Sequence, residues 1–182
     1  MSNIGEFVQS KIVILDIDMP SSRAMLAKLR RACGKPLGAR TDVFEITLEG
    51  APQGSFAINA IHAALTLYGV HRQGVGDSMN ERSVPFGMAI GKLVEKDNSN
   101  RSAIKHRFDA IATANDLNEA AHYARGLVQM LRGKAIGFNY AGFANDLYRF
   151  QFPDDADRVR LKWGLDFCKE ITSKDKGETP ND

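Results

Sequence analysis

The stretch Leu117-Asn118-Glu119-Ala120-Ala121-His122-Tyr123-Ala124-Arg125-Gly126-Leu127-Val128-Gln129-Met130-Leu131-Arg132 carries its apolar marks at Leu117, Ala121, Ala124, Val128 and Leu131. That three-to-four residue spacing is one face of an α-helix. Asn115 or Asp116 can cap its start, offering a short side-chain oxygen to an orphan N–H of the first turn. The same rhythm extends in both directions. Leu26, Leu29 and Cys33 keep it, as do Ile61, Leu65 and Tyr68, with Ala57, Ala60 and Ala64 widening the stripe. Phe86, Ile90, Leu93 and Val94 form another stripe, and Ile104, Phe108 and Ile111 the next. Tyr140, Phe143, Leu147 and Phe150, then Val159, Trp163 and Phe167, complete the series.

Two stretches depart from it. Ile12-Val13-Ile14-Leu15 reads as a strand, or as part of an N-terminal helix with Phe7, Val8, Ile12 and Leu15 on its apolar face. Residues 43–48 are β-branched and alternate moderately, which suits a strand or a helix entry. Two short apolar runs do not build a sheet. The expectation is an all-α protein of seven to nine helices in two packed bundles. The polar break Asp97-Asn98-Ser99-Asn100 divides an N-terminal bundle at 6–97 from a C-terminal bundle at 101–171. Residues 172–182, polar and holding Gly177 and Pro180, read as a flexible tail.

The 182 residues suffice for one globular unit or two small packed ones, with no need of a disulfide or metal to fold. Apolar residues at 43% and charged residues at 25% exclude a disordered chain. No apolar run approaches a membrane span, and no secretion signal pattern opens the chain. Cys33 and Cys168 share no metal or redox spacing and suit a reducing cytoplasm, the expected location.

The net charge of +2 excludes a histone-like coat but not a local basic stripe. Between Arg23 and Arg40 lie six basic residues and no acidic one; the window from Ala120 to Asn145 is also free of acids and holds Arg125, Arg132 and Lys134. Acids gather at Asp42, Glu45 and Glu49 and at Asp154, Asp155 and Asp157. Such windows read either as a solvated face or as a surface that tracks phosphates, since the guanidinium fork matches phosphate oxygens. Aromatic residues near them are few, which argues against a base-stacking platform.

Catalytic motifs are weaker. Ile-Val-Ile-Leu followed by Asp16-Ile17-Asp18 resembles the nucleophile motif of haloacid-dehalogenase phosphatases, where two carboxylates help hold Mg²⁺. That chemistry needs a strand–helix alternation absent here, and Pro20 stands where the motif has threonine or valine. His62, His71, His106 and His122 show no metal spacing. Gly74-Val75-Gly76 lacks the third glycine and the preceding strand of a nucleotide fingerprint.

Seven further segments, in order, carry a family resemblance: LAKLRRA at 26–32 with GKP at 34–36, AALTLY at 63–68 with HRQ at 71–73, PFGMAIGKL at 85–93, RFDAIATA at 107–114, AHYARGLVQMLR at 121–132, YAGFANDLY at 140–148 and RVRLKWGLDF at 158–167. Together they resemble the CasB-type small subunit of the type I-E CRISPR Cascade complex. The resemblance implies an all-α, non-catalytic, cytoplasmic antiviral-defence protein of two helical bundles, with no cofactor, metal or membrane partner. It implies a pair of copies beside other Cascade subunits and the crRNA. Their basic surface would bind target DNA and the displaced strand and stabilise the R-loop. The residues it marks for phosphate contact are Lys28, Arg30, Arg31, Arg72, Lys92, Arg107, Arg125, Arg132 and Lys134. The alternative is a helical protein–protein interaction module that touches no nucleic acid.

Overall fold

A computed structural model describes residues 3–175, among which nine α-helices and no β-strand occur. They are α1 (Ile4–Leu15), α2 (Pro20–Ala32), α3 (Phe44–Thr47), α4 (Ser55–His71), α5 (Phe86–Lys96), α6 (Arg101–Ala112), α7 (Leu117–Gly133), α8 (Tyr140–Phe150) and α9 (Pro153–Asp175). Each apolar stripe read from the sequence is the buried face of one helix. Both ambiguous stretches are helical. Residues 12–15 close α1, whose buried face is Ile4, Val8, Ile12 and Leu15. Residues 41–47 form a 3-10 turn running into α3. The expected tail at 172–182 begins too early, because α9 continues to Asp175; the rest of it lies outside the described residues.

Capping follows the polar signals. Asp116 Oδ1 accepts from Glu119 N–H at 2.9 Å and starts α7, and Asn139 Oδ1 accepts from Gly142 N–H at 2.8 Å and starts α8. Gly34, at φ +77°, turns the chain out of α2.

The centre is α4. Every residue from Ala60 to His71 is buried, so this helix has no solvent face there. α2, α7, α8 and α1 pack around it, while α9 lies along α5. The break at 97–101 is a 3-10 turn, and helices from before it pack against helices from after it: α1 on α8, α4 on α7 and α5 on α9. The buried apolar side chains form one continuous cluster across that junction.

Close approach depends on glycine at two helix pairs. A Cβ on Gly87 would lie 2.2 Å from the Trp163 carbonyl oxygen, and one on Gly91 would lie 2.7 Å from Glu170 Cβ, so α5 and α9 touch nearly backbone to backbone. A Cβ on Gly69 would lie 2.8 Å from the Arg30 nitrogen, where α4 meets α2. Asp146, buried on α8, accepts from Trp163 Nε1 at 2.9 Å and from Lys162 Nζ at 2.7 Å, tying α8 to α9.

Two stability outcomes follow. Gly87→Ala forces α5 off α9 and costs about 1–3 kcal/mol, read as a Tm lower by roughly 2–12 °C. The second concerns His71, fully buried at the end of α4 with Nδ1 3.0 Å from the Tyr140 hydroxyl. Burial pushes its pKa down to about 3 from the usual 6.5. The unfolded chain therefore binds a proton that the folded chain refuses. His71 supports stability above pH 6.5, and that support falls by up to about 1.4 kcal/mol per pH unit as the solution is acidified towards pH 3. Urea unfolding at several pH values measures this, and His71→Gln flattens the slope by one proton.

Candidate nucleic-acid interface

Side-chain placement on α2 is set by the face that meets α4. Leu26, Leu29 and Ala32 point inward, and each residue turns the direction by about 100°. Lys28 and Arg30 therefore sit on opposite flanks, with Arg31 on the outer face and exposed. The Lys28 flank faces the acidic turn: Arg40 hydrogen-bonds Asp42 and holds its carboxyl below the usual range, and Lys28 adds to that pull. The Arg30 flank, with Arg23 two turns earlier, lines an open cleft of about 520 Å³ against Arg72, Gln73 and the Gly74–Gly76 loop.

The geometry of α7 links this cleft to α6. Arg125, Gln129 and Arg132 share one face over two turns. Arg132 Nη1 donates to Gln73 Oε1 at 2.8 Å, at the edge of the α2 cleft. Arg125 Nη1 sits 3.9 Å from where a Cβ on Gly34 would be, at the end of α2. Arg107 of α6 lies over Gly126, its Nε 3.4 Å from the position of a Cβ there. Arg107, Arg125, Arg132 and Arg30 thus run as one strip across α6, α7 and α2. None of the four has an acidic partner among the described ion pairs.

Lys92, Lys96 and Lys134 form a separate, mixed-charge patch. Lys134 Nζ lies 3.7 Å from Asp97 and its carbonyl accepts from Lys96 Nζ at 3.4 Å. Lys92 faces Glu81, whose carboxyl is held below its usual range, first by Ser83 and then by Lys92.

Arg72 corrects the sequence reading. Its side chain is only 8% exposed. Its Nε lies 3.1 Å from Asp16 Oδ1, and Nη1 donates to the Val75 and Asp77 carbonyls. The Tyr68 hydroxyl also donates to Asp16, and Ser78 Oγ donates to it at 2.6 Å. Burial, then the bond to Asp16, raises the Tyr68 pKa, so the phenol stays protonated and donating. Asp16 is thus the C-cap of α1 and the anchor of the 72–78 loop, not a carboxylate at the end of a strand. No group of His, Cys, Asp or Glu suited to a metal occurs among the described residues.

Arg23 also lines the α2 cleft, but it is engaged with Asp18, 2.9 Å from its Nη1, and so is not one of the unpaired cations. It stands seven residues before Arg30 on the same helix flank.

A family model for the CRISPR-associated protein Cse2 matches residues 25–167. The chain belongs to the Cse2 family. The CasB crystal structure from Thermobifida fusca is 32% identical, covers 92% of this chain and 98% of its own, and superposes with a TM-score of 0.76. A chain of a CRISPR RNA-guided surveillance complex shares the fold at 17% identity and TM-score 0.78, covering 96% of this chain and 99% of its own. CasB from Thermus thermophilus does so at 19% identity and TM-score 0.71, covering 95% and 99%. No relative is found among curated protein sequences. No helix among the described residues is long and apolar enough to cross a membrane.

The clamp around Asp16 sets an outcome that separates structure from binding. Arg72→Gln lowers stability by about 1–3 kcal/mol, the worth of charged hydrogen bonds removed from a largely buried place. At 20 °C, where the variant stays folded, DNA capture matches the wild type. Reduced capture with an unchanged Tm would return Arg72 to the interface.

Proposed function

We propose that this Cse2-family protein is a non-catalytic subunit of a cytoplasmic CRISPR RNA-guided surveillance complex, and that its arginine strip holds DNA backbone. The observation that carries the reading is the strip itself: Arg107, Arg125, Arg132 and Arg30, contiguous over three helices and unpaired with acids. Guanidinium groups with no carboxylate partner bind phosphate through paired N–H donors. They track backbone without reading bases, which suits a complex whose guide RNA reads the sequence. Target duplex and displaced strand are the proposed ligands. Exchanging a DNA duplex for a hybrid is nearly balanced in energy, so a few such contacts can hold the R-loop open. Arg31, Lys92 and Lys134 act as secondary contacts, while Lys28 serves the Asp42 turn.

The proposed partners also include other subunits and a second copy of the chain. Leu161 and Leu165, one turn apart on α9, are 63% and 52% exposed. Val13, Ile14, Ile17 and Met19 expose a second apolar patch at the end of α1. These surfaces also favour the second reading, a helical module that meets only protein.

Guide-loaded complexes assembled with Arg125→Glu or with the Arg107→Glu/Arg132→Glu pair decide between the two. The expected result is normal assembly and weaker duplex capture. The slope of log affinity against log salt should flatten by about 0.7–0.9 for each phosphate that the variant no longer neutralises. Normal capture and slope, with assembly abolished by Leu161→Glu/Leu165→Glu, would instead establish the protein-only module.

A further inference from the structure

Among the described hydrogen bonds, Arg132 is the strip cation tied to another side chain; the bond that Arg107 makes goes to the Ala103 carbonyl of its own helix. Arg132 Nη1 donates to Gln73 Oε1 at 2.8 Å and reaches the Val70 carbonyl at 3.4 Å, which occupies both hydrogens of that nitrogen. Both acceptors are neutral oxygens. The opposite edge, Nε and Nη2, takes part in no described hydrogen bond. Arg132 is half-buried, yet neither of these nitrogens is a buried atom without a partner, so the edge meets solvent. Its N–H groups run parallel and match two oxygens of one phosphate.

Gln73 is itself held in place. It follows Arg72, whose guanidinium is locked onto Asp16 and onto the Val75 and Asp77 carbonyls. Gly74, at φ +71°, turns the chain directly after it, and its own N–H donates to the Val70 carbonyl at 3.3 Å. The backbone at residue 73 is thus fixed on both sides, while the side chain is exposed and lines the α2 cleft. An amide oxygen there orients a guanidinium without cancelling its charge. A carboxylate in the same place would orient it and neutralise it.

We propose that Gln73 is a positioning residue for DNA binding: it pins the Nη1 side of Arg132, so that the Nε–Nη2 edge is presented to a backbone phosphate at the mouth of the α2 cleft, and its lack of charge keeps that arginine available. The proposal rests on the strip reading. It gives the 72–78 loop a part in binding that no count of cations reveals, because Gln73 contributes order rather than charge.

The test measures target-duplex capture by guide-loaded complexes over a salt series, with the Tm of the free subunit as the check on folding. Arg132→Gln should flatten the slope of log affinity against log salt by about 0.7–0.9, one phosphate contact. Gln73→Glu should flatten it equally while removing no cation, because the new carboxylate pairs with Arg132. Gln73→Met, similar in length but without the acceptor, should weaken capture about two- to tenfold, the range of one lost hydrogen bond, and leave the slope unchanged. Added to Arg132→Gln, it should cost no more than about twofold, since the two act through one contact. An unchanged slope in Arg132→Gln would overturn the strip reading at that residue and the proposal with it. A flattened slope there, beside wild-type capture and slope in both Gln73 variants, would overturn the positioning role and leave the strip standing. A Gln73→Met loss that persists in full on top of Arg132→Gln, or that is matched by a lowered Tm, would make Gln73 a direct or merely structural contact and overturn the proposal.

Discussion

From Ala60 to His71, α4 has no solvent face, and most of the architecture follows from that. A helix buried on every side must be covered on every side, and α1, α2, α7 and α8 are its covers. It carries four polar side chains inward, and each needs a partner. Thr66 Oγ1 donates to the His62 carbonyl at 2.7 Å; His62 reaches Lys35, Tyr68 reaches Asp16, and His71 reaches Tyr140. The last three bonds run outward to the end of α2, the end of α1 and the start of α8. The central helix therefore fixes the register of its neighbours as well as burying their apolar faces. The basic strip is a by-product of this arrangement. α2 and α7 lie beside one another only because both lie on α4.

The helices were legible because each has one apolar face, and period alone declares it. Leu117, Ala124, Val128 and Leu131 are all buried on α7 as their spacing requires. Residues 12–15 were ambiguous for a physical reason. Val13 and Ile14 are apolar but at least half exposed, which blurred the helical stripe into a continuous run. The junction near 97–100 was legible as a polar turn. The single core that spans it was not, since nothing local shows that α1 will meet α8 or that Gly87 will meet Trp163.

The site was less legible than the fold. Sequence shows which cations exist, whereas pairing decides which are left over. Arg72 follows a helix and precedes a glycine-rich loop, so it reads as free, yet its carboxylate partner stands at Asp16, far away in sequence. Lys28 and Arg30 are two residues apart and look alike, but the packing of Leu29 sends them to opposite flanks. Arg125 and Arg107 were legible as basic, but not that Arg107 would lie over Gly126 of α7 or that Arg125 would reach Gly34 in the turn after α2.

A net charge of +2 also takes on meaning once pairing is known. Arg23, Arg40, Arg72, Lys134, Arg158, Arg160 and Lys162 are each within ion-pair distance of an acid. Seven of the 22 acids are therefore neutralised locally, among them Asp18 before α2, Asp16 against Arg72, and Asp155 and Asp157 on α9. What remains near the α6, α7 and α2 surface includes four arginines, Arg30, Arg107, Arg125 and Arg132, with no acid at ion-pair distance. At physiological salt the field of a distant acid is screened within about 8 Å, so a phosphate chain arriving there meets the unpaired strip rather than the balanced whole. A chain with little net charge can in this way keep a strongly local affinity for polyanions while presenting neutral or apolar faces, such as Leu161 and Leu165, elsewhere. The strip needs no surplus of cations; it needs the acids to be engaged with other partners.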